Sequence, residues 1–168
     1  MKSYKKIFYW SPFIGRVATI RAVIESAFSV EKFSKNSFKS TIINCVGEWD
    51  SHKSDLNKKR INCFDLQNKY KPNNIFFGYI RSRLTYTLIF LLSFFPLKKV
   101  LESQKPHYLI VHLITSLPLF LFLLFRFETK LILRISGYPK LNFFRKFFWK
   151  ICAKKIDIVL CPTNQTFE

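Results

Sequence analysis

The stretch that constrains the fold most is residues 129–163, because it has the pattern of a complete βαβ unit. Residues 129–135 are rich in leucine and isoleucine, which is typical of a strand buried on both faces of a parallel sheet. A loop with a glycine and a proline follows, and Asn142 is a suitable N-cap for a helix over residues 143–155. Residues 156–160 predict a second buried strand. Ligands of open α/β sheets bind beyond the carboxyl ends of the strands, so the loop after the first strand is a candidate binding site.

The rest of the chain continues this alternation of strands and helices. Predicted strands cover residues 5–10, 40–46, 61–66 (at a possible sheet edge) and 107–114, and predicted helices cover 17–33, 75–104 (broken or kinked at Pro96) and 117–127. Residues 51–60 are polar and charged and are interpreted as a surface excursion. The order predicts an α/β fold with a doubly wound, mostly parallel sheet and helices on both faces, formed by residues 1–168 as a single domain.

Two uncharged windows raise the alternative of a small integral membrane protein. Residues 84–97 carry no charge over 14 positions, and residues 106–125 carry none over 20, which is long enough to span a bilayer. The second window is better explained as a strand followed by a short apolar helix. Thr115 and Ser116 supply an N-cap there, and Pro118 suits the first turn.

The charge of the chain predicts an anionic partner. Lysine and arginine number 28 against 10 acidic residues, a formal net charge of +18, and phenylalanine is abundant at 20. The basic excess together with abundant phenylalanine favours an anionic membrane surface over specific nucleic acid, for which no reading motif is present. The alternative is a coding bias toward lysine, asparagine, isoleucine and phenylalanine. The four cysteines form no CxxC pair, so we expect buried reduced thiols and no metal site.

The helix over residues 143–155 is the predicted membrane-surface element. Its candidate contact residues are Arg145, Lys146, Trp149, Lys150 and Lys154. Helical spacing predicts that Phe144, Phe148, Ile151 and Cys152 share one face and that Trp149 lies among the cations. The combination suits an anionic bilayer surface, and a sheet-packing helix with a solvated lysine face is the structural alternative.

The chain resembles the N-terminal domain of GT-B glycosyltransferases of the family 4 type. The resemblance lies in the order and spacing of KIFYWSPFIGRVAT, STIINCVGEWD, HYLIVHLITSLPLFLF, KLILRISGYPKLN and KKIDIVLCPT. It implies a Rossmann-like, acceptor-binding half of an enzyme that transfers sugar, with retention and without an obligate metal or cofactor. The implied donor is a nucleotide-sugar, and the implied acceptor is a lipid or saccharide.

The same resemblance implies that the C-terminal, nucleotide-sugar-binding domain is absent from these 168 residues. We therefore expect a truncated or split enzyme with little activity alone, or one completed by a second polypeptide. The implied setting is bacterial polysaccharide biosynthesis, in the cytoplasm and peripheral on the inner membrane. Integral membrane insertion is the alternative.

Site residues are carried over only where the sequence has a suitable side chain, and the catalytic residues stay unknown. The acceptor- or phosphate-binding candidates are Gly15, Arg16, His112, Arg134, Ser136 and Gly137. The first two lie near a predicted helix N-terminus, where unpaired N–H groups favour phosphate, and Arg134 could neutralise one. The structural alternatives are a plain βα turn for Gly15, a core histidine bonded to backbone for His112 and a surface ion pair for Arg134. Glu48 and Asp50 are predicted to lie in a solvated loop.

Overall fold

The computed structural model describes residues 4–13, 18–35, 37–66, 79–135 and 142–161. The strands are β1 (Lys5–Trp10), β2 (Phe38–Asn44), β3 (Asn62–Asp65), β4 (Tyr108–Val111), β5 (Lys130–Arg134) and β6 (Ile158–Leu160). The helices are α1 (Ala18–Phe33), α2 (Lys53–Lys58), α3 (Tyr79–Gln104), α4 (Ser116–Leu124) and α5 (Phe143–Cys152), with 3₁₀ turns at Asp50–His52 and Ala153–Lys155.

The strands form one parallel sheet in the order β3-β2-β1-β4-β5-β6. This order is doubly wound, since the chain moves outward from β1 in one direction and then returns to build the other half. The predicted α/β, Rossmann-like fold with a parallel sheet is therefore confirmed. β3 lies at one edge, as the sequence suggested. β6 lies at the other edge, and its three residues are exposed, so the prediction of a buried strand there is wrong.

The inner strands are rich in apolar residues because both of their faces are covered. Along β1, Ile7 and Tyr9 belong to one core, and Phe8 and Trp10 belong to the other. Helix α1 covers the first core with Val23 and its neighbours, and we call this side of the sheet the α1 face. The opposite side is covered by α3, α4 and α5, which we call the three-helix layer, with α4 in contact with both of its neighbours.

The uncharged stretch 106–125 forms β4 and then α4, as predicted, rather than one continuous spanning helix. Both elements pack into the core, which explains why the stretch lacks charge. Thr115 occupies the N-cap position, but its side chain makes no capping hydrogen bond. The helix ends at Leu124, earlier than predicted, because Phe125 takes an extended conformation.

Helix α3 continues through Pro96 and is not broken there. By length and composition, Arg83–Gln104 within it could cross a membrane, with a mean hydropathy of 1.5. Yet Leu97 and Leu101 are buried in the core that the sheet shares with the three-helix layer. This helix therefore lies along the sheet.

Residues 51–60 lie mostly at the surface, as the sequence suggested, but the segment also contributes to the core. They contain a 3₁₀ turn and α2, whose Leu56 is fully buried beside Trp49 and Ile61. A single apolar side chain in a polar segment was enough to anchor it to the α1 face. Sequence periodicity does not detect such a short element, because one buried position produces no repeat.

The predicted inner face of α5 is half right. Phe148 and Cys152 do pack against the core, but Phe144 is 80% exposed and Ile151 lies at the surface. Trp149 is half-buried against the core and does not lie among the outward cations. The helix carries apolar residues around most of its circumference, so its sequence left open which arc meets the sheet.

Candidate functional site

Polar side chains follow three neighbouring strands where these strands end. Ser11 and His112 come directly after β1 and β4, and Arg134 is the last residue of β5. The register of β1, β4 and β5 brings these positions side by side, and the His112 N–H donates to the Trp10 carbonyl at 3.0 Å. Alternation along the strands assigns them to the α1 face, with Tyr9. We call Tyr9, Ser11, His112 and Arg134 the carboxyl-edge cluster.

His112 is the most unusual residue of this cluster. The side chain is only 5% exposed, and neither Nδ1 nor Nε2 has a hydrogen-bond partner within the part of the chain that the structure describes. Its ring lies 6.0 Å from that of Tyr9, measured between centroids. Burial and the nearby charge of Arg134 lower the pKa of His112 to about 4, so the imidazole is neutral at pH 7.

A neutral imidazole offers one donor and one acceptor, and burying either without a partner costs about 1–3 kcal/mol. The alternative of a core histidine whose ring bonds to backbone does not hold among the described residues. The ring is therefore available to a hydroxyl, amide or phosphate oxygen of a ligand that reaches this edge.

Ser11 is a site residue that sequence reasoning missed. Its side chain is 1% exposed, and its Oγ also lacks a hydrogen-bond partner within the described residues. The available signal was its position as the first polar residue after an apolar strand. That signal is weak, since many strands end in serine, and only the register with His112 gives it meaning.

Arg134 supplies the positive charge of the cluster. It is half-buried, and its charge favours the phenolate of Tyr9 and disfavours protonation of His112. Burial nevertheless raises the pKa of Tyr9, whose hydroxyl lies 3.3 Å from Ser26 Oγ. The cluster thus combines one fixed cation with uncharged hydrogen-bonding groups, a chemistry that suits a phosphate or a sugar hydroxyl.

The loop after β2 borders this region and has a structural role. Glu48 is 5% exposed rather than solvated, which corrects the prediction. Its carboxylate accepts hydrogen bonds from the N–H groups of Cys45 and Val46 at 2.8–3.1 Å. Gly47, which directly precedes Glu48 in the loop, has a positive φ of 93°. Burial raises the pKa of Glu48 in spite of these bonds. The carboxylate therefore holds the loop.

Asp50 and its surroundings form a second paired group at this loop. Asn44 Nδ2 donates to Asp50 at 2.9 Å and to Asp65 at 2.6 Å. Lys53 forms ion pairs with the same two carboxylates at 2.8 and 3.2 Å, and these bonds raise its pKa. Because both carboxylates are bonded to Asn44 and paired with Lys53, we assign this network to stability.

A cavity of about 640 Å³ lies on the β3 side of the sheet. Lys6, Lys39, Lys53 and Asp65 are among its lining residues. The ammonium of Lys39 pairs with Glu31 at 3.0 Å, Lys53 pairs with Asp65, and Lys6 donates to a backbone carbonyl. The charged groups of this cavity already have partners, which sets it apart from the carboxyl-edge cluster.

The remaining predicted site residues fall into two groups. Gly15, Arg16, Ser136 and Gly137 lie outside the described residues. The predicted membrane-surface residues lie on α5 and the turn after it, across the sheet from the carboxyl-edge cluster; they are Arg145, Lys146, Trp149, Lys150 and Lys154. Among the described residues, no group of three or more His, Cys, Asp or Glu side chains could hold a metal ion.

Comparisons with known proteins give structural neighbours. No protein-family model and no curated protein matches the sequence. A protein assigned as a UDP-N-acetylglucosamine 2-epimerase from Listeria monocytogenes has a similar structure, with a TM-score of 0.63 and 18% identity over 98% of this chain and 41% of that one. UDP-GlcNAc 2-epimerase from Neisseria meningitidis, bound to UDP-GlcNAc, has a TM-score of 0.59 and 17% identity over 96% of this chain and 40% of that one.

CalG4, the calicheamicin glycosyltransferase, gives a TM-score of 0.50 and 11% identity over 88% of this chain and 36% of that one. The chain thus spans about two fifths of the length of these structures. At such identities the likeness shows the fold alone. The described residues have the Rossmann-like fold of part of a GT-B-like protein, a fold shared by epimerases and a glycosyltransferase.

Proposed function

We propose that this chain is the acceptor-side half of a glycosyltransferase of the GT-B, family 4 type, and that its carboxyl-edge cluster binds a phosphate-bearing sugar ligand. The observation that carries the proposal is the buried His112 ring with both nitrogens unpartnered among the described residues, next to Arg134. Arg134 would bind the phosphate. The neutral imidazole and the Ser11 hydroxyl would exchange hydrogen bonds with sugar hydroxyls, which offer both a donor and an acceptor.

The sugar donor would be bound elsewhere. The nucleotide-sugar would occupy a second domain, supplied by further chain or by a second polypeptide. The length of the structural neighbours, of which this chain matches about two fifths, supports that division. The role of the present residues is then to bind and orient the acceptor. The proposed setting is bacterial polysaccharide synthesis in the cytoplasm, at the inner membrane.

The test is a calorimetric titration of the chain with N-acetylglucosamine 1-phosphate and pyrophosphate. Hydrogen bonds to a charged group contribute about 1.5–3 kcal/mol, so Arg134→Gln should weaken binding of the phosphate-bearing probes by roughly 10- to 100-fold. Ser11→Ala should weaken binding of the sugar phosphate but not of pyrophosphate. Arg126→Gln removes an exposed arginine outside the cluster and is the matched control.

The proposal is wrong if neither probe binds, or if Arg134→Gln binds them as tightly as Arg126→Gln does. Equal losses in both arginine variants would also contradict it, since they would indicate attraction by net charge rather than a site.

A sugar-nucleotide epimerase half is the second candidate, and it is favoured by the two neighbours with TM-scores of 0.63 and 0.59. The two reactions leave different products. An epimerase inverts one sugar carbon of UDP-N-acetylglucosamine and needs no acceptor, whereas a transferase forms a new glycosidic bond and releases UDP. Proton and phosphorus NMR of the chain, mixed with the polypeptide encoded next to it, would distinguish them.

A further inference from the structure

Exposed apolar side chains are concentrated on one side of the molecule. The large apolar residues exposed on the three-helix layer are Leu84, Tyr86, Leu91 and Phe95 on α3, Leu124 on α4, and Phe143, Phe144, Phe147 and Ile151 on α5. Among the described residues of α1 and α2, the helices of the other face, only Phe33 is comparable. Large apolar side chains that are exposed together on one layer mark a candidate interaction surface.

Helix α3 contributes a stripe that runs along its outer side. Leu84, Leu91 and Phe95 are spaced by seven and four residues and are 63%, 64% and 74% exposed. The opposite side, with Ile89 and Leu97, is buried in the core. The helix is therefore apolar on both sides, although it is not enclosed in the protein.

Helix α5 combines apolar and cationic residues on its outer side. Phe143, Phe147, Lys150 and Lys154 follow the i, i+4, i+7, i+11 spacing of one stripe, which lies opposite the buried Cys152. The two phenylalanines are 81% and 62% exposed. Phenylalanine rings and ammonium groups thus share the surface that faces away from the sheet.

The lysines of α5 and of the turn after it distinguish between a second copy of the chain and a bilayer as the partner of this layer. Within the described residues, no carboxylate lies within 4.0 Å of Lys146, Lys150 or Lys154. A second copy of the chain, docked symmetrically by this layer, would add its own lysines to the interface. An anionic bilayer complements both kinds of residue, because its phosphates pair with the ammonium groups and its acyl-chain boundary buries the phenylalanine rings.

The anchoring of α3 decides between lying on the bilayer and crossing it. Its inner residues Leu97 and Leu101 pack against the sheet together with residues of β4 and β5. Crossing would expose that core, whereas a surface position needs no change of fold. We propose that the three-helix layer docks onto an anionic bilayer surface, with α5 inserting Phe143 and Phe147 at headgroup depth. This inference does not depend on the proposed sugar chemistry.

The experiment is co-sedimentation of the chain with vesicles of phosphatidylcholine alone or with 30% phosphatidylglycerol. Wild type should bind only the anionic vesicles and be released by salt. Each lysine near an anionic surface contributes about 1 kcal/mol, so the triple variant Lys146→Gln, Lys150→Gln, Lys154→Gln should bind roughly 100-fold more weakly. Phe143→Ser with Phe147→Ser, and separately Leu91→Ser with Phe95→Ser, should each weaken binding at least tenfold.

Matched controls remove the same groups from the other side of the molecule. The control triple is Lys32→Gln, Lys35→Gln, Lys58→Gln, and the apolar control is Phe33→Ser, at a side chain 78% exposed. Both should bind like wild type, and circular dichroism should show that every variant is folded.

Four results would overturn the proposal. The first is equal binding by the α5 variants and their controls, and the second is binding that ignores phosphatidylglycerol. The third is attachment that survives alkaline carbonate, which would indicate a spanning helix. The fourth is absence of vesicle binding by the folded wild-type chain, which would leave a protein partner as the occupant of the layer.

Discussion

The buried imidazole of His112 should make the stability of the fold depend on pH in a way that a single substitution removes. In the folded state its pKa is about 4, and in the unfolded state it has the ordinary value of 6.5. As the pH falls through 6.5 the unfolded state takes up a proton that the folded state refuses, so unfolding becomes easier in acid. The stabilisation from this group is complete above pH 6.5 and is lost between pH 6.5 and 4.

The size of the effect follows from these two values. Between pH 7 and pH 5, linkage at this one group lowers the free energy of unfolding by about 2 kcal/mol, at about 1.36 kcal/mol per pKa unit. His112→Phe keeps an aromatic ring beside Tyr9 but cannot be protonated. The variant should therefore lack this part of the pH dependence. It should also be more stable than wild type at pH 7, because no polar atom is buried without a partner.

The assay is urea unfolding followed by circular dichroism at pH 5, 6 and 7 for wild type and His112→Phe. Comparing the two proteins cancels contributions from other titrating groups, Glu48 among them. Phe33→Ser, at an exposed side chain that carries no ionisable group, is the control and should retain the wild-type slope. Parallel slopes for wild type and His112→Phe would refute the reasoning, as would a variant less stable than wild type by more than about 1 kcal/mol, the value of a typical hydrogen bond.

Three further predictions concern the loops and helices that surround the site. Glu48→Ala leaves the N–H groups of Cys45 and Val46 buried without an acceptor. It should therefore lower the free energy of unfolding, measured in urea, by about 2–4 kcal/mol. Glu102→Ala, at an exposed position, is the control and should change this free energy little. Leu56→Ala should cost about 2–5 kcal/mol in the same assay if α2 belongs to the core, and a loss below 1 kcal/mol would contradict that. Asn142→Ala removes the acceptor for the Arg145 N–H, found at 2.9 Å, and should cost about 1 kcal/mol, with Asn142→Asp retaining most of it.

The fold was predictable because the signals that define it are local. Each inner strand contains a short apolar run, and each is followed by a turn and a helix, so a parallel sheet was the consistent solution. β1 and β5 both begin and end within two residues of their predicted positions. The 20-residue uncharged window was also predicted correctly as a strand followed by a helix, because Thr115 and Pro118 indicate a helix start in the middle of the window.

The errors come from choices that only tertiary contacts make. α5 has apolar side chains on several arcs, and the core selected the one with Phe148, Trp149 and Cys152. The importance of Ser11 depends on its register with His112, two positions that lie about a hundred residues apart. No local pattern encodes that pairing. The position of His112 at the end of a strand was predictable, but the absence of partners for its ring within the described residues was not.

The placement of the helices has a geometric consequence for access to the site. The three-helix layer lies on one face of the sheet, while the carboxyl-edge cluster belongs to the other. A protein that rests on this layer holds the cluster above the lipid headgroups by at least one helix diameter, about 10–12 Å. The layer then acts as a spacer of fixed height. A lipid-linked acceptor would have to extend its polar head by that distance, whereas a water-soluble ligand would reach the cluster from the open side.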